Sequence, residues 1–145
     1  MSAAPHSPAD LLPHAAPMIL LERVLDWNGA DWVVAEVDIG PHTPFLDRER
    51  GVPAHVGLEW MAQCCGLFAG LDARAGGGPV RVGYLLGTRR YRARRLWFGV
   101  GERLRVEARL LLRDGGMAVF DCTIGGDGED EPVAAAQLTL YQPEA

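Results

Sequence analysis

The stretch Gly51–Leu71 reads GVPAHVGLEWMAQCCGLFAGL, and its pattern decides how the rest of the chain must fold. Pro53 supplies a preset φ suited to the first turn of a helix. The apolar residues that follow it (Val56, Leu58, Trp60, Met61, Leu67, Phe68 and Leu71) are not confined to one stripe. A helix that is apolar on all sides has to be surrounded by the rest of the protein. Glu59 and Gln63 stand one helical turn apart on one face of it, with His55 a further turn upstream on the same face. Burying an ionised carboxylate without a partner is costly, so Glu59 requires either a structural partner or a chemical task. A face of Glu, Gln and His can equally be satisfied inside a fold or at a dimer seam.

Upstream of this segment, Met18–Trp27 is an apolar run with alternation at its end, Asn28-Gly29 is a turn signal, and Trp32–Ile39 alternates. The pair predicts a β-hairpin whose Val33, Ala35, Val37 and Ile39 face the core, with Trp32, Val34, Glu36 and Asp38 on the other face. Residues 1–10 are expected to be loose, and Leu11-Leu12-Pro13 predicts a single helical turn that ends at His14. Pro41–Arg50 is a loop carrying His42 and the charged run Asp47-Arg48-Glu49-Arg50. Downstream, Asp72–Arg74 and Gly76-Gly77-Gly78-Pro79 stop the helix. A glycine cluster cradles phosphate where it opens a helix, whereas this one closes a helix. Strands are predicted near Val80–Arg95, Arg103–Arg113, Met117–Ile124 and Val133–Tyr141, with Asp114-Gly115-Gly116 and the Gly125–Glu131 run as connections. The expected fold class is α+β, with a long antiparallel β-sheet wrapped around one central buried α-helix.

At 145 residues the chain has room for one domain with a real core, expected to span residues 1–145, and not for two. Its 48% hydrophobic and 23% charged residues are ordinary for a globular protein. A net charge of -5 argues against general nucleic-acid binding, which needs a basic footprint to displace counterions. Three cysteines, two of them adjacent, fit neither a disulfide framework nor a zinc spacing, so reduced core thiols and no metal site are expected. The N-terminal MSAAPHSPAD lacks the basic residues and apolar run of a secretion signal, and the only long apolar stretch carries Glu59 and Gln63. A cytoplasmic protein without a membrane span is the expectation.

Three segments, in this order and spacing, resemble one known family. They are Leu11-Leu12-Pro13-His14 with Pro17-Met18 and Glu22-Arg23-Val24, then Leu58-Glu59-Trp60-Met61-Ala62-Gln63, then Leu86-Gly87-Thr88-Arg89-Arg90-Tyr91. The family is that of the hotdog-fold dehydratases acting on 3-hydroxyacyl groups carried by acyl carrier protein. Val52-Pro53-Ala54 followed by Val56-Gly57 makes the chain more similar to the subgroup associated with aryl-polyene-type pigment and lipid assembly. The resemblance implies a single hotdog domain, a homodimer or a heterodimer with a homologous subunit, and an active-site tunnel between helices and loops of both subunits. It implies no cofactor beyond the phosphopantetheine arm of the acyl carrier protein that carries the substrate. The catalytic histidine of such proteins lies in a Gly-His-Phe-Pro or similar segment, and this chain reads Gly40-Pro41-His42-Thr43-Pro44-Phe45, with a proline after the glycine.

Dehydration of a 3-hydroxyacyl thioester needs a base for the α-proton, an acid for the departing hydroxyl and a stabiliser of charge on the thioester oxygen. Glu59 fits the acid, with Gln63 orienting it. His42 is the first candidate for the base and His55 the second, while His14 fits a turn-to-sheet tie. Backbone N–H groups around Ala54–Val56 would face the thioester oxygen with the positive end of the helix dipole. In the run Arg89-Arg90-Tyr91-Arg92-Ala93-Arg94-Arg95, alternation places Arg90, Arg92 and Arg94 on one face and Arg89, Tyr91, Ala93 and Arg95 on the other. This run is either a solvated edge that resists aggregation or a positive patch, through Arg90 and Arg92, for a phosphopantetheine phosphate or an acidic carrier domain. Two rival functions stay open: a thioesterase in which Glu59 activates water, and a non-catalytic acyl-carrier-binding subunit that pairs with an active homologue.

Overall fold

Turn chemistry and alternation build the sheet in the computed structural model of this chain, which describes residues 7–12, 19–78, 83–126 and 129–143. Strand β1 (Arg23–Trp27) turns into β2 (Trp32–Asp38) through Asn28, whose Oδ1 accepts the N–H groups of Ala30, Asp31 and Trp32 at 3.0 Å each. This is the hairpin that the Asn-Gly signal predicts. Val33, Ala35, Val37 and Ile39 are buried against the core as expected. Val34 and Glu36, on the opposite face, are buried too. Arg23 covers that face by pairing with Glu36 and, at 2.7 Å, with Asp38, and Arg103 pairs with Asp38 at 3.2 Å.

The segment expected to open the central helix is extended instead. Val52–Pro53 forms a two-residue strand, β3, paired with Trp97–Phe98, which becomes β5 once the long strand β4 (Tyr84–Ala93) has passed. The preset φ of Pro53 suits an extended backbone as well as a helical one, and the β3–β5 pairing decides between them. Gly51 enters this ribbon at φ +108°, with its α-carbon so close to the Phe98 carbonyl that no Cβ would fit. The central helix, α2, therefore begins at Val56 with His55 at its N-cap, and it runs to Ala75, past the stop expected at Asp72–Arg74. Gly76 closes it, donating its N–H to the Asp72 carbonyl at 3.1 Å. Trp60, Met61, Cys64, Cys65, Leu67, Phe68 and Leu71 are all buried, as a helix with no polar side requires.

Strands β6 (Arg103–Asp114), β7 (Met117–Gly126) and β8 (Ala134–Tyr141) follow as the expected meander. The six long strands lie in the order β1-β2-β6-β7-β8-β4, every pairing antiparallel, and α2 packs against β2, β6, β7 and β8. A sheet wrapped around one buried helix is what the sequence implied. At the N-terminus the helical turn α1 lies at Pro8–Leu11, earlier than expected. Pro8 and Leu11 are buried, and the Leu11 carbonyl packs where a side chain on Gly70 would be. The expected placements of His14, of Pro17-Met18 and of the start of a strand at Val80 lie outside the described residues.

Two bulges reassign side chains that simple alternation places wrongly. In β4 the register runs Arg89 opposite Gln137 and then Arg92 opposite Ala135, so Arg90 and Tyr91 together span one partner position, with Arg90 at φ +57°. Arg92 therefore shares the outer face with Arg89 rather than with Arg90, and Tyr91 turns inward beside Ala93, whose partner Ala134 is buried. In β6 the register slips between Leu110 and Leu112, putting Leu112 opposite Val119 and Arg113 opposite Ala118.

Candidate active site

The conjunction of an acid, an amide and a cavity arises where α2 crosses the sheet. Glu59 is half-buried and Gln63 is fully buried one turn later. The Gln63 carboxamide is held in one orientation, because its Oε1 accepts the Leu20 N–H at 2.8 Å. Its Nε2 is then turned towards Glu59 and donates to Oε1 at 3.3 Å. No pattern in the sequence brings residue 20 beside residue 63. Among the described residues no arginine pairs with Glu59. Both Glu59 and Gln63 line a cavity of about 540 Å³ between α2, the start of β4, the β6–β7 hairpin and β8. A volume of this order is that of a small-ligand pocket. Its middle is apolar, with Cys65, Phe68, Leu85, Phe120 and Leu140 in its walls.

The candidate histidines do not join this acid in a single chain. His42 lies exposed in the turn after β2, and His55 is exposed at the N-cap. The predicted shared face of His55, Glu59 and Gln63 therefore runs from solvent into the core, since the helix emerges from the sheet at its first turn. Neither histidine is hydrogen-bonded to Glu59.

Of the backbone groups expected to face an oxyanion, Ala54 is removed, because its N–H donates to the Leu96 carbonyl at 2.8 Å. The N–H groups of Gly57 and Leu58 donate to the Ala54 and His55 carbonyls at 3.0 and 3.3 Å. The N–H groups of His55 and Val56 lie at the positive end of α2, at its first turn.

Tyr91, which alternation had grouped with Arg89 and Arg95, sits over this same helix end. Its hydroxyl donates to the Ala54 carbonyl. Gly57 is pressed against it, since a Cβ there would stand 2.7 Å from both Tyr91 Oη and Ile124 Cδ1. Burial pushes the Tyr91 phenol up to about 12 from its usual 10.0. Arg90 and Arg92 are exposed, and no acid among the described residues pairs with either. Arg94 and Arg95 do have acidic partners, Glu129 and Glu102, at 3.2 and 2.7 Å. The three cysteines are free and buried, and burial raises the Cys64 and Cys65 thiols well above their ordinary range.

A sequence model described as ApeP-like, ApeP dehydratase, matches residues 6–145. The chain belongs to the ApeP-like dehydratase family. The 3-hydroxyacyl-[acyl-carrier-protein] dehydratase FabZ of Legionella pneumophila (strain Corby) is 32% identical over 104 residues, covering 69% of each chain. FabZ of Shewanella sediminis is 29% identical over 122 residues, covering 81% of this chain and 79% of its own. Among solved structures, the dehydratase heterocomplex ApeI:P from Xenorhabdus doucetiae matches with a TM-score of 0.89 at 29% identity, over 97% of this chain and 93% of that one. A hypothetical thioesterase protein with coenzyme A from Streptococcus pneumoniae TIGR4 shares only the fold, with a TM-score of 0.65 at 13% identity over 83% and 84% of the two chains. These neighbours identify the wrapped sheet of this ApeP-like chain as a hotdog fold. Among its described residues no helix is long and apolar enough to cross a membrane.

Proposed function

We propose that this ApeP-like chain dehydrates a 3-hydroxyacyl thioester, carried on the phosphopantetheine arm of an acyl carrier protein, to the trans-2-enoyl thioester, with Glu59 as the acid. The reading is carried by one observation: an acid held by an amide that is itself fixed by the backbone, lining a cavity with an apolar middle, with no arginine among the described residues paired to it. In the elimination an imidazole takes the α-proton, and Glu59 is the group that passes a proton to the departing hydroxyl. The new double bond forms as water leaves. The His55 and Val56 N–H groups hold the charge that builds on the thioester oxygen, assisted by the dipole of α2.

The exposure of His42 and His55 favours an assembly in which the base reaches Glu59 across a subunit interface. The open edge of β4, the sheet's last strand, is suited to such an interface, in a homodimer or with a homologous hotdog subunit. The same exposure favours, as a second reading, a carrier-binding subunit that completes the site of an active homologue. Hydrolysis of the thioester by Glu59-activated water is a third outcome of the same test. Arg90 and Arg92, exposed and without an acidic partner among the described residues, offer positive charge to the carrier together with Arg89. The proposal extends to aryl-polyene-type or fatty-acid assembly as the setting.

Incubating the purified protein with 3-hydroxyacyl carrier, alone and with a homologous hotdog subunit, separates the readings by mass. Loss of one water from the acyl group supports dehydration, and free acid indicates hydrolysis. Turnover only in the presence of the second subunit, and insensitive to Glu59→Gln in this chain, indicates the subunit role. Replacing Arg90 and Arg92 by Glu should weaken carrier binding and flatten its salt dependence. Unchanged affinity across a salt series would remove that assignment.

A further inference from the structure

Strand β6 carries an anomaly that the chemistry at Glu59 does not use. Leu104, Val106 and Ala108 point into the core, and unbroken alternation would continue with Leu110 and Leu112 inward and Arg113 outward. The slip after Leu110 reverses this, leaving Leu111 and Leu112 exposed at 48% and 60% while Arg113 lines the cavity. Exposing two leucines to bring an arginine inward is unfavourable for packing alone. Bulges of this kind re-aim side chains beside functional sites.

Arg113 arrives at the end of the cavity opposite Glu59. There Nη1 pairs with Asp72 of α2 at 3.1 Å, and the guanidinium lies 5.8 Å from the centre of the Phe68 ring. The pair thus bridges α2 and the β6–β7 hairpin across the far mouth. Glu59 and Asp72 are separated by about 20 Å of helix at roughly 1.5 Å per residue. Between these polar ends the cavity is apolar, which fits a thioester head at Glu59 and an aliphatic chain running towards Asp72.

We propose that Asp72 and Arg113 form the distal stop of the acyl cavity, so that an unbranched saturated acyl chain is accepted up to the length that reaches the pair and rejected beyond it. This rests on the acyl-thioester reading of the cavity. Both side chains are about half exposed, 46% for Asp72 and 48% for Arg113. Such a pair contributes little to stability, so it is a weak latch rather than a structural staple.

The test is calorimetric titration of the full-length protein with unreactive thioether analogues of acyl-pantetheine of increasing chain length. The wild type should bind more tightly with each added carbon pair until the chain reaches the latch, then lose affinity by about tenfold or more. Arg113→Ala should abolish that loss while leaving short chains and Tm within about 3 °C of the wild type. Arg113→Lys, which keeps the cation, should restore the cut-off, and Asp72→Asn should behave as Arg113→Ala. An identical length profile in the wild type and Arg113→Ala overturns the proposal, as does a large fall in Tm without a change of profile, which would mark a staple. A shifted profile in a protein that dehydrates nothing in any assembly keeps the stop and removes the proposed reaction. Dehydration with an unmoved profile does the reverse. A wild type that binds no analogue overturns both.

Discussion

The two ends of α2 are held by opposite kinds of contact. At the N-terminal end the Ala54 peptide is fixed on both sides, its carbonyl by the Tyr91 hydroxyl and its N–H by the Leu96 carbonyl at 2.8 Å. Gly57 leaves no spare room beneath Tyr91. Towards the C-terminal end Gly70 packs against the Leu11 backbone, and in the last turn beyond it the contacts are the exposed Asp72–Arg113 pair and a bond of 2.9 Å from Arg74 to the Asp10 carbonyl. Partly buried hydrogen bonds between neutral groups are strengthened by the low local dielectric, whereas exposed ion pairs are screened by water and salt. The end nearest Glu59 is accordingly stiff and the distal end is able to yield. That is the order expected where one end aligns reacting groups and the other meets only the far end of the acyl chain. Both ends depend on a bulge, one turning Tyr91 inward and the other Arg113.

This contrast leads to five expected outcomes. The largest is at Glu59: on the proposed reading, in which it serves chemistry rather than packing, replacement by Gln should lower dehydration by about 10²–10⁴-fold in a steady-state assay and leave the unfolding midpoint close to wild type. Gly57→Ala should be the most damaging to the fold, by about 1–3 kcal/mol in urea unfolding, since its methyl would meet Tyr91 and Ile124 at 2.7 Å. A near-neutral result would show that the N-terminal end is not tightly packed. Tyr91→Phe should lose about 1 kcal/mol with the hydrogen bond to Ala54 and lower kcat more than it raises KM, by loosening the His55 and Val56 donors.

Tyr91 also predicts a pH signature. Its phenol is raised to about 12 in the fold against 10.0 unfolded, so the folded state holds the proton more tightly. The stability this contributes is complete below pH 10.0 and is lost as pH climbs towards about 12. Tyr91→Phe should shrink that alkaline fall, measured as the urea midpoint against pH. The smallest effect is at the other end of the helix. Asp72→Asn should cost no more than about 1 kcal/mol, and the cost should vanish in high salt. A loss as large as that of Gly57→Ala would abolish the distinction between the two ends.

The core of the fold was open to reading because it follows from local periodicity. The run from Val56 to Leu71 is apolar on every side, Val33–Ile39 alternates, and Asn28 can cap its own turn, so a sheet around a buried helix is the arrangement these elements allow. Glu59 and Gln63 were equally visible, being polar residues one turn apart in an apolar helix. Pro53 does not place itself, because its φ suits both a helix and a strand, and only the distant Trp97 backbone selects between them. Periodicity groups His55 with the buried face because it gives a residue's direction around the helix axis but not the depth at which the helix leaves the sheet.

Local patterning along the chain settled the hydrophobic partition, and with it the hairpin, the enclosed helix and the acid–amide pair, because these depend on residues within a turn or two of one another. Tertiary pairing alone settled how the Ala54 peptide at the helix start is bonded, where Gln63 is pinned, and which side of the sheet Tyr91 and Arg113 face. A single extra residue in a ladder inverts every side chain after it, and its position is set by the neighbouring strand rather than by the strand that carries it.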